Sequence, residues 1–174
     1  MTMERKITYF EEPGEENTSD VFNCARERSS ELGITHILIP SKRGVSAEKA
    51  LDFFSNTNLT LFFVGTDPAS FSPETKKRID DAGFKLAFYK EVDYQYLDEV
   101  KNAFRRFGQG TKVAVELTLI ATQVEIVEPG AEVVALGGSS KGLDTALVIK
   151  AATSDEFYEL EIREILCKPR KTKT

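Results

Sequence analysis

Residues 135–149 of the chain read ALGGSSKGLDTALVI: an apolar run, a polar stretch rich in glycine, and a second apolar run. This order predicts a β-strand, a loop and a second β-strand. Glycines let successive backbone N–H groups point toward one site, and the serines and lysine add donors, so the loop suits a phosphate or the polar edge of a ring. The alternative is a Gly-rich turn in which Asp144 makes an Asx-turn to its own backbone.

Strand and helix patterns alternate along the chain before this stretch. Strands are predicted at residues 7–10, 34–39, 59–64, 84–89, 133–136, 145–149 and 158–165, and helices from the capping residues 17–19 to 32 and at 45–54, 73–82, 94–107 and 112–127. Gly33 ends the first helix, and Ser72 with Pro73 begins the third. The alternation predicts an α/β fold with a mainly parallel sheet and antiparallel strands near the C-terminus.

The C-terminal segment changes character twice. Residues 158–163 alternate between apolar and charged side chains, which predicts an outer antiparallel strand with one buried face. Residues 168–174 form a basic tail that we expect to be frayed. The length of 174 residues, without internal repeats or low-complexity linkers, predicts a single domain over residues 1–174.

The composition argues against several function classes. A net charge of −5 provides no basic field for nucleic acid. The single histidine, His36, argues against a His-rich metal site or a His-dependent catalytic triad, and no metal is expected. Cys24 and Cys167 are far apart in sequence, so no disulfide framework is expected. No signal peptide or apolar membrane span is evident, which favours a cytoplasmic protein without a membrane partner.

Ligands of open α/β sheets bind beyond the carboxyl ends of the strands. Three predicted loops leave such ends, at residues 40–44, 65–71 and 137–144. The first is the best anion candidate, because Ser41 supplies a hydroxyl, Arg43 supplies a fork of donors, and Gly44 opens a helix whose first amides, through Ser46, point outward. Simple capping beside solvated Lys42 and Arg43 is the alternative.

Other polar residues allow two interpretations each. Asn17 and Thr18 either contact a ligand near the same edge or cap the first helix. Glu116 is expected to pair with Lys112 one turn earlier, with a general-base role as the alternative. The helix at 112–127 is apolar over most of its surface, which predicts burial between layers or at a subunit contact of a homo-oligomer.

Several segments in order carry a family resemblance. They are Asn17-Thr18, Glu31-Leu32-Gly33-Ile34, Ser41-Lys42-Arg43-Gly44, Phe107 to Glu116 with its Phe-Gly-Gln-Gly start, Gly137 to Ala146, and Ile162 to Arg170. Over nearly the whole chain they resemble the stand-alone, mostly archaeal and bacterial proteins related to the pyruvate kinase C-terminal (alpha/beta) domain. The resemblance implies a three-layer α/β/α fold without a kinase active site, and flavin mononucleotide (FMN) as cofactor.

The resemblance also implies where a ligand lies. In pyruvate kinase the corresponding domain holds an effector phosphate in a strand-to-helix loop. By resemblance, Ser41, Arg43, Gly44 and Ser46 would hold a phosphate here, and other segments would line or flank the pocket. Together with the loops above, the candidate cofactor-binding set is Asn17, Thr18, Ser41, Arg43, Gly44, Ser46, Thr66, Gly108, Gly110, Lys112, Gly138, Ser139, Ser140, Gly142, Asp144 and Thr145. The loop after the third strand departs from the family pattern, since residues 65–71 lack its histidines.

Three functions follow as hypotheses. The first is a binding domain for a phosphorylated small molecule, with FMN as the expected ligand. The second is an enzyme, either a flavin-dependent oxidoreductase or another enzyme acting on a phosphorylated ligand, suggested by lysine, aspartate and hydroxyls in one loop. The third is a regulatory oligomeric protein that binds an effector. Fold alone does not choose among them.

Overall fold

The structure is a computed structural model, and it describes residues 1–172. The strands are β1 (Thr8–Phe10), β2 (His36–Pro40), β3 (Thr60–Gly65), β4 (Lys85–Phe88), β5 (Glu132–Gly137), β6 (Thr145–Lys150) and β7 (Glu161–Pro169). The α-helices are α1 (Thr18–Leu32), α2 (Val45–Phe53), α3 (Pro73–Asp81), α4 (Asp98–Arg105) and α5 (Gln109–Gln123). Short 3-10 helices occupy Glu15–Asn17, Pro68–Ser70 and Phe157–Glu159.

The strands form one sheet in the order β1-β7-β6-β5-β2-β3-β4. Within it, β6 runs antiparallel to both β5 and β7, and the other pairings are parallel. This confirms the predicted α/β class, with a mostly parallel sheet and antiparallel pairing at its C-terminal end. The predicted helix limits at Gly33 and Ser72 are also confirmed, since Gly33 has φ 69° and Ser72 Oγ accepts the Thr75 N–H.

Helices cover both faces of the sheet and give three layers. The side chains of Ile37 and Ile39 pack in one apolar core with α1, α2 and α3, whereas Leu38 packs in the other with α4 and α5. The alternation follows from the period of two along a strand. It explains why β2 and β3 are apolar on consecutive positions, because both of their faces are buried.

Helix α5 is buried on the face of the sheet that it covers together with α4. Leu117, Leu119 and Ile120 are inaccessible to solvent and pack with Tyr96 and the strands beneath them. The sequence predicted that this helix is buried either between layers or at a subunit contact. The structure buries it between layers of the same chain. The helix starts at Gln109, three residues before the predicted start, and ends at Gln123 rather than at residue 127.

Several predicted boundaries near the C-terminus were wrong. Residues 157–159 form a 3-10 helix, so the last strand begins at Glu161. That strand is not an outer strand, because β1 pairs with it in parallel on its far side. Lys168 and Pro169 belong to β7, and the Arg170 N–H donates to the Phe10 carbonyl, so these residues are not a frayed tail. Residues 173 and 174 lie outside the described residues.

The structure also bears on membrane crossing. None of the helices between residues 1 and 172 has the length and apolar character needed to cross a bilayer.

Candidate functional site

A cavity of about 950 Å³ opens at the carboxyl ends of β2, β3 and β5. From β2 the chain continues to β3 and β4 on one side, and it later returns to β5 on the other side of β2. The strand order therefore reverses between β2 and β5, and this reversal is where open α/β sheets bind ligands. The cavity lies at that point, and its wall includes Pro40 at the end of β2, Ser41 after it, and Gly138 and Ser139 after β5.

The structure brings many of the predicted residues to this cavity. Those in its wall are Ser41, Arg43, Ser46, Thr66, Lys112, Gly138, Ser139, Ser140 and Gly142. Those outside its wall are Asn17, Thr18, Gly44, Gly108, Gly110, Asp144 and Thr145. Of the second group, Thr18, Gly110, Asp144 and Thr145 make hydrogen bonds or close contacts that hold the loop between β5 and β6 in place.

The first turn of α2 faces the cavity. Gly44 precedes it with φ 95°, a left-handed conformation that favours glycine. Because glycine has no side chain, Gly44 cannot cap the helix with one. The first helical bond runs from the Glu48 N–H to the Gly44 carbonyl, and Ser41 Oγ accepts the Ala47 N–H at 3.0 Å. The amides of Val45 and Ser46 have no partner within the helix and lie at its positive end.

Three basic side chains line the cavity together with this turn. Lys42, Arg43 and Lys141 all line the cavity, and among residues 1–172 none of the three has a carboxylate within ion-pair distance. Glu15 also lines the cavity, as does Glu116, whose charge is balanced by Lys112. Three unpaired cations against one carboxylate make this end of the cavity attractive to an anion.

The Gly-rich loop between β5 and β6 is fixed from behind. Asp144 is 1% exposed, and its carboxylate accepts the Ser139 N–H at 3.0 Å and the Thr145 hydroxyl at 2.9 Å. Thr18 Oγ1 accepts the Leu143 N–H at 3.1 Å, which ties the loop to the start of α1. Asn17 does not cap α1 with its side chain and instead donates to the Glu12 carbonyl.

Close backbone packing explains the glycines of this region. A Cβ on Gly137 would lie 2.0 Å from the Gly110 carbonyl oxygen, and one on Gly110 would lie 2.1 Å from Thr145 Oγ1. A Cβ on Gly142, whose φ is 67°, would lie 2.4 Å from the Glu15 Cα. These glycines bring β5, α5 and the short helix at Glu15 close enough to form the cavity wall.

A buried ion pair forms the opposite wall of the cavity, on α5. Lys112 Nζ donates to Glu116 Oε2 at 2.5 Å, which confirms the predicted pairing one helical turn apart. The side chains are only 11% and 7% exposed. The Tyr94 hydroxyl donates to Glu116 Oε1 at 2.8 Å, so both carboxylate oxygens are engaged. Glu116 therefore has an orienting partner that the sequence did not reveal.

Two tyrosines complete this wall. Tyr89 and Tyr94 both line the cavity beside α5. Burial raises the pKa of Tyr89 well above its usual value, and the nearby Glu116 carboxylate adds to the effect. Burial likewise raises the pKa of Tyr94, with Glu116 again contributing through charge and through its hydrogen bond. Both hydroxyls are therefore protonated donors throughout the physiological pH range.

Several cavity residues were missing from the candidate set. They are Glu15, Lys42, Val45, Tyr89, Tyr94, Gln109, Val113, Glu116 and Lys141, besides the strand-end residues Pro40 and Val64. Lys42, Val45 and Lys141 adjoin predicted residues, so proximity in sequence could have found them. Glu116 lies one turn from Lys112 on α5. Tyr89 and Tyr94 follow β4 and carry no sequence signal, because they reach the cavity through the tertiary fold.

The remaining reactive side chains lie away from the cavity. His36 begins β2, at the end of the strand that lies away from the cavity. Its Nδ1 lies 3.0 Å from Thr35 Oγ1, and burial lowers its pKa. Cys24 and Cys167 are free thiols that lie close together despite their sequence separation. The Cys167 contact lowers the pKa of Cys24 to about 7. Within residues 1–172, no group of three or more His, Cys, Asp or Glu residues could hold a metal ion.

Comparison with known proteins shows a likeness in structure. No protein-family model matches the chain. A crystal structure of a pyruvate kinase from Cryptosporidium parvum superposes with a TM-score of 0.48 and 14% sequence identity, over 78% of this chain and 23% of that one. This chain thus spans less than a quarter of the pyruvate kinase, and a likeness at this level assigns neither a family nor an activity.

Proposed function

We propose that this protein binds a phosphorylated small molecule in the cavity between β2 and β5, with the phosphate on the first turn of α2. The observation that carries the proposal is the coincidence of two features at one place. The amides of Val45 and Ser46 are left open by the helix, Lys42 and Arg43 directly precede them, and Lys141 lines the same cavity. Within residues 1–172 none of these three cations has an acidic partner. Helix N-termini with such amides bind phosphate through both hydrogen bonds and the helix dipole.

The rest of the cavity suits the body of an organic ligand. Its volume of about 950 Å³ lies within the range of small-molecule sites. Val45, Val64 and Val113 supply apolar surface, and Tyr89 and Tyr94 supply aromatic walls. A phosphate at one end and a flat, partly apolar body at the other describe a phosphomonoester rather than free phosphate.

FMN is the first ligand to test. The loop sequences resemble those of stand-alone relatives of the pyruvate kinase C-terminal domain, for which FMN is the implied cofactor. FMN and riboflavin differ only in the phosphate, so the pair isolates the contribution that α2 and Arg43 are proposed to make. A visible flavin spectrum that persists after removal of excess ligand is the first readout.

The test compares the affinities of FMN and riboflavin for the wild type and for Arg43→Ala, by quenching of flavin fluorescence. Loss of charge-assisted hydrogen bonds from Arg43 should weaken FMN binding by about 10- to 100-fold and leave riboflavin unaffected. Arg163→Ala is the matched control, because Arg163 is an exposed arginine on β7 that is paired with Glu132 and Glu161. Equal affinities for FMN and riboflavin would overturn the phosphate assignment.

A further inference from the structure

The two ends of the cavity differ in charge. On the α2 side, Lys42 and Arg43 directly precede the helix, and Lys141 lines the same cavity. In the described part of the chain none of these three cations is paired with a carboxylate. At the α5 end, the positive charge of Lys112 is cancelled by Glu116 through a 2.5 Å hydrogen bond. The side chains of this pair are only 11% and 7% exposed, so water and salt screen them weakly. The cavity therefore offers a positive end and an electrically neutral end.

The neutral end still has hydrogen-bonding capacity toward a ligand. An ammonium group has three N–H donors, and Lys112 uses one of them on Glu116. Each carboxylate oxygen of Glu116 accepts one bond, from Lys112 or from Tyr94, and keeps a second lone pair. The Tyr94 hydroxyl donates to Glu116 and can still accept. Donors and acceptors thus stand side by side in the wall.

We infer that the site selects phosphomonoesters whose other end is an uncharged group with both a hydrogen-bond acceptor and a donor, such as a carboxamide or the amide edge of a heterocycle. Lys112, Glu116 and Tyr94 are the specificity-determining residues. A second anionic group of the ligand at this end would be repelled by the Glu116 carboxylate, because Lys112 is the one cation of the pair and already neutralises Glu116. The repulsion is effective because the buried pair is weakly screened. Bisphosphates and phosphocarboxylates are therefore rejected. The inference rests on the proposed phosphate site.

The experiment uses straight-chain phosphonates of increasing length, each ending in a methyl, a carboxamide or a carboxylate group, with calorimetric titration of the full chain. At the best chain length, the carboxamide should bind at least about tenfold more tightly than the carboxylate and more tightly than the methyl compound. A carboxylate that binds as tightly as the carboxamide at every length would overturn the inference.

Glu116→Gln sharpens the test, because it leaves Lys112 as an uncompensated cation while keeping a side chain of similar shape. The carboxylate-ended phosphonate should then gain about tenfold or more, so the preference reverses. An unchanged ratio in a folded Glu116→Gln protein would contradict the inference. If this variant does not fold, the wild-type ratio decides alone.

Two controls locate the effect. Tyr94→Phe keeps the ion pair, so the preference for the carboxamide should keep its direction. Asp81→Asn breaks the exposed Lys77–Asp81 pair, which has the same one-turn spacing on α3, and should change no ratio. If no phosphonate binds in an Arg43-dependent way, the proposed function itself fails. If all three end groups bind equally and depend on Arg43, only this inference fails.

Discussion

Helices α2 and α3 lie on the same face of the sheet and have the same length of nine residues, but they begin differently. Helix α3 is closed by its own chain: Ser72 Oγ accepts the Thr75 N–H at 3.0 Å, and Pro73 has no N–H to satisfy. Helix α2 follows Gly44, which has no side chain to cap it, and the Ser41 hydroxyl accepts only the Ala47 N–H.

The surrounding charges follow the same division. Helix α3 carries Glu74 in its first turn, which complements the helix dipole from within the chain. The first turn of α2 also holds an acidic residue, Glu48, but that carboxylate pairs with Arg78 of α3. Lys42 and Arg43 precede the turn and add positive charge to an end that is already positive. Two helices of one protein can thus share length, layer and direction, yet only the one left incomplete is suited to a ligand.

The largest effect is expected when α2 is made to resemble α3. Val45 is 60% exposed in the cavity wall, so Val45→Asp places a carboxylate in the first turn at little packing cost. The carboxylate takes the place of the ligand phosphate and repels it. FMN or phosphonate affinity should fall by about 100-fold, while the free energy of unfolding rises by about 0.5 kcal/mol.

Parallel fluorescence titration and urea unfolding measure both quantities. Glu74→Gln, the neutralising change on α3, is the control and should leave affinity unaltered. Unchanged affinity in Val45→Asp would mean that the ligand does not use this turn.

A smaller effect is expected from Ser41→Ala. Ser41 is 2% exposed, and its hydroxyl is the acceptor for the Ala47 N–H, so the substitution leaves a buried donor without a partner. The free energy of unfolding should fall by about 1–2 kcal/mol. Ligand affinity should fall as well, because the same loop holds Arg43. A loss of stability without any loss of affinity would separate the loop from the site.

The matching substitution on α3, Ser72→Ala, should affect stability alone. Loss of the bond to the Thr75 N–H should lower the free energy of unfolding by about 1 kcal/mol. Affinity for a phosphorylated ligand should be the same as in the wild type, as measured in the same titration. Weaker binding in this variant would show that α3 contributes to the site and that the contrast between the helices is incomplete.

The smallest expected effect is a dependence of stability on pH, caused by His36 at the amino end of β2. Burial lowers the pKa of His36 below its ordinary value of 6.5, so the unfolded chain takes up a proton before the folded chain does. His36 therefore lowers stability progressively as the pH falls below about 6.5, and has no such effect above it. The decrease should be small because the ring is partly solvated.

Urea midpoints of the wild type and His36→Gln between pH 7.5 and 5.5 measure this decrease, which should be absent in the variant. Ligand affinity at pH 7.5 should be equal in both proteins. A midpoint that falls equally in both would assign the pH dependence to other groups.

Local features of the site could be predicted from the sequence. Residues 41–46 combine a glycine, a hydroxyl and cations at a strand-to-helix junction, and all of them except Gly44 line the cavity. The pairing of Lys112 with Glu116 follows from their spacing on one helix. The alternation of strands and helices was enough for the α/β class, because each element has its own periodic pattern.

Features that depend on distant contacts could not be predicted in this way. Gly110 and Asp144 were predicted as ligand contacts; the structure places both outside the cavity wall, with Gly110 packed against Gly137 of β5 and Asp144 holding the Ser139 amide. Tyr94 reaches Glu116 across 22 positions of sequence. The pairing of β1 with β7 joins the two ends of the chain, so neither strand's own pattern could show that β7 is an inner strand.

The most direct test of the central claim follows backbone amides by two-dimensional NMR while inorganic phosphate is added. The account predicts that the largest shifts occur at Val45 and Ser46, that Glu74 and Thr75 at the start of α3 do not move, and that Val45→Asp abolishes the response. Equal shifts at both helices, or no shift at α2, would contradict it.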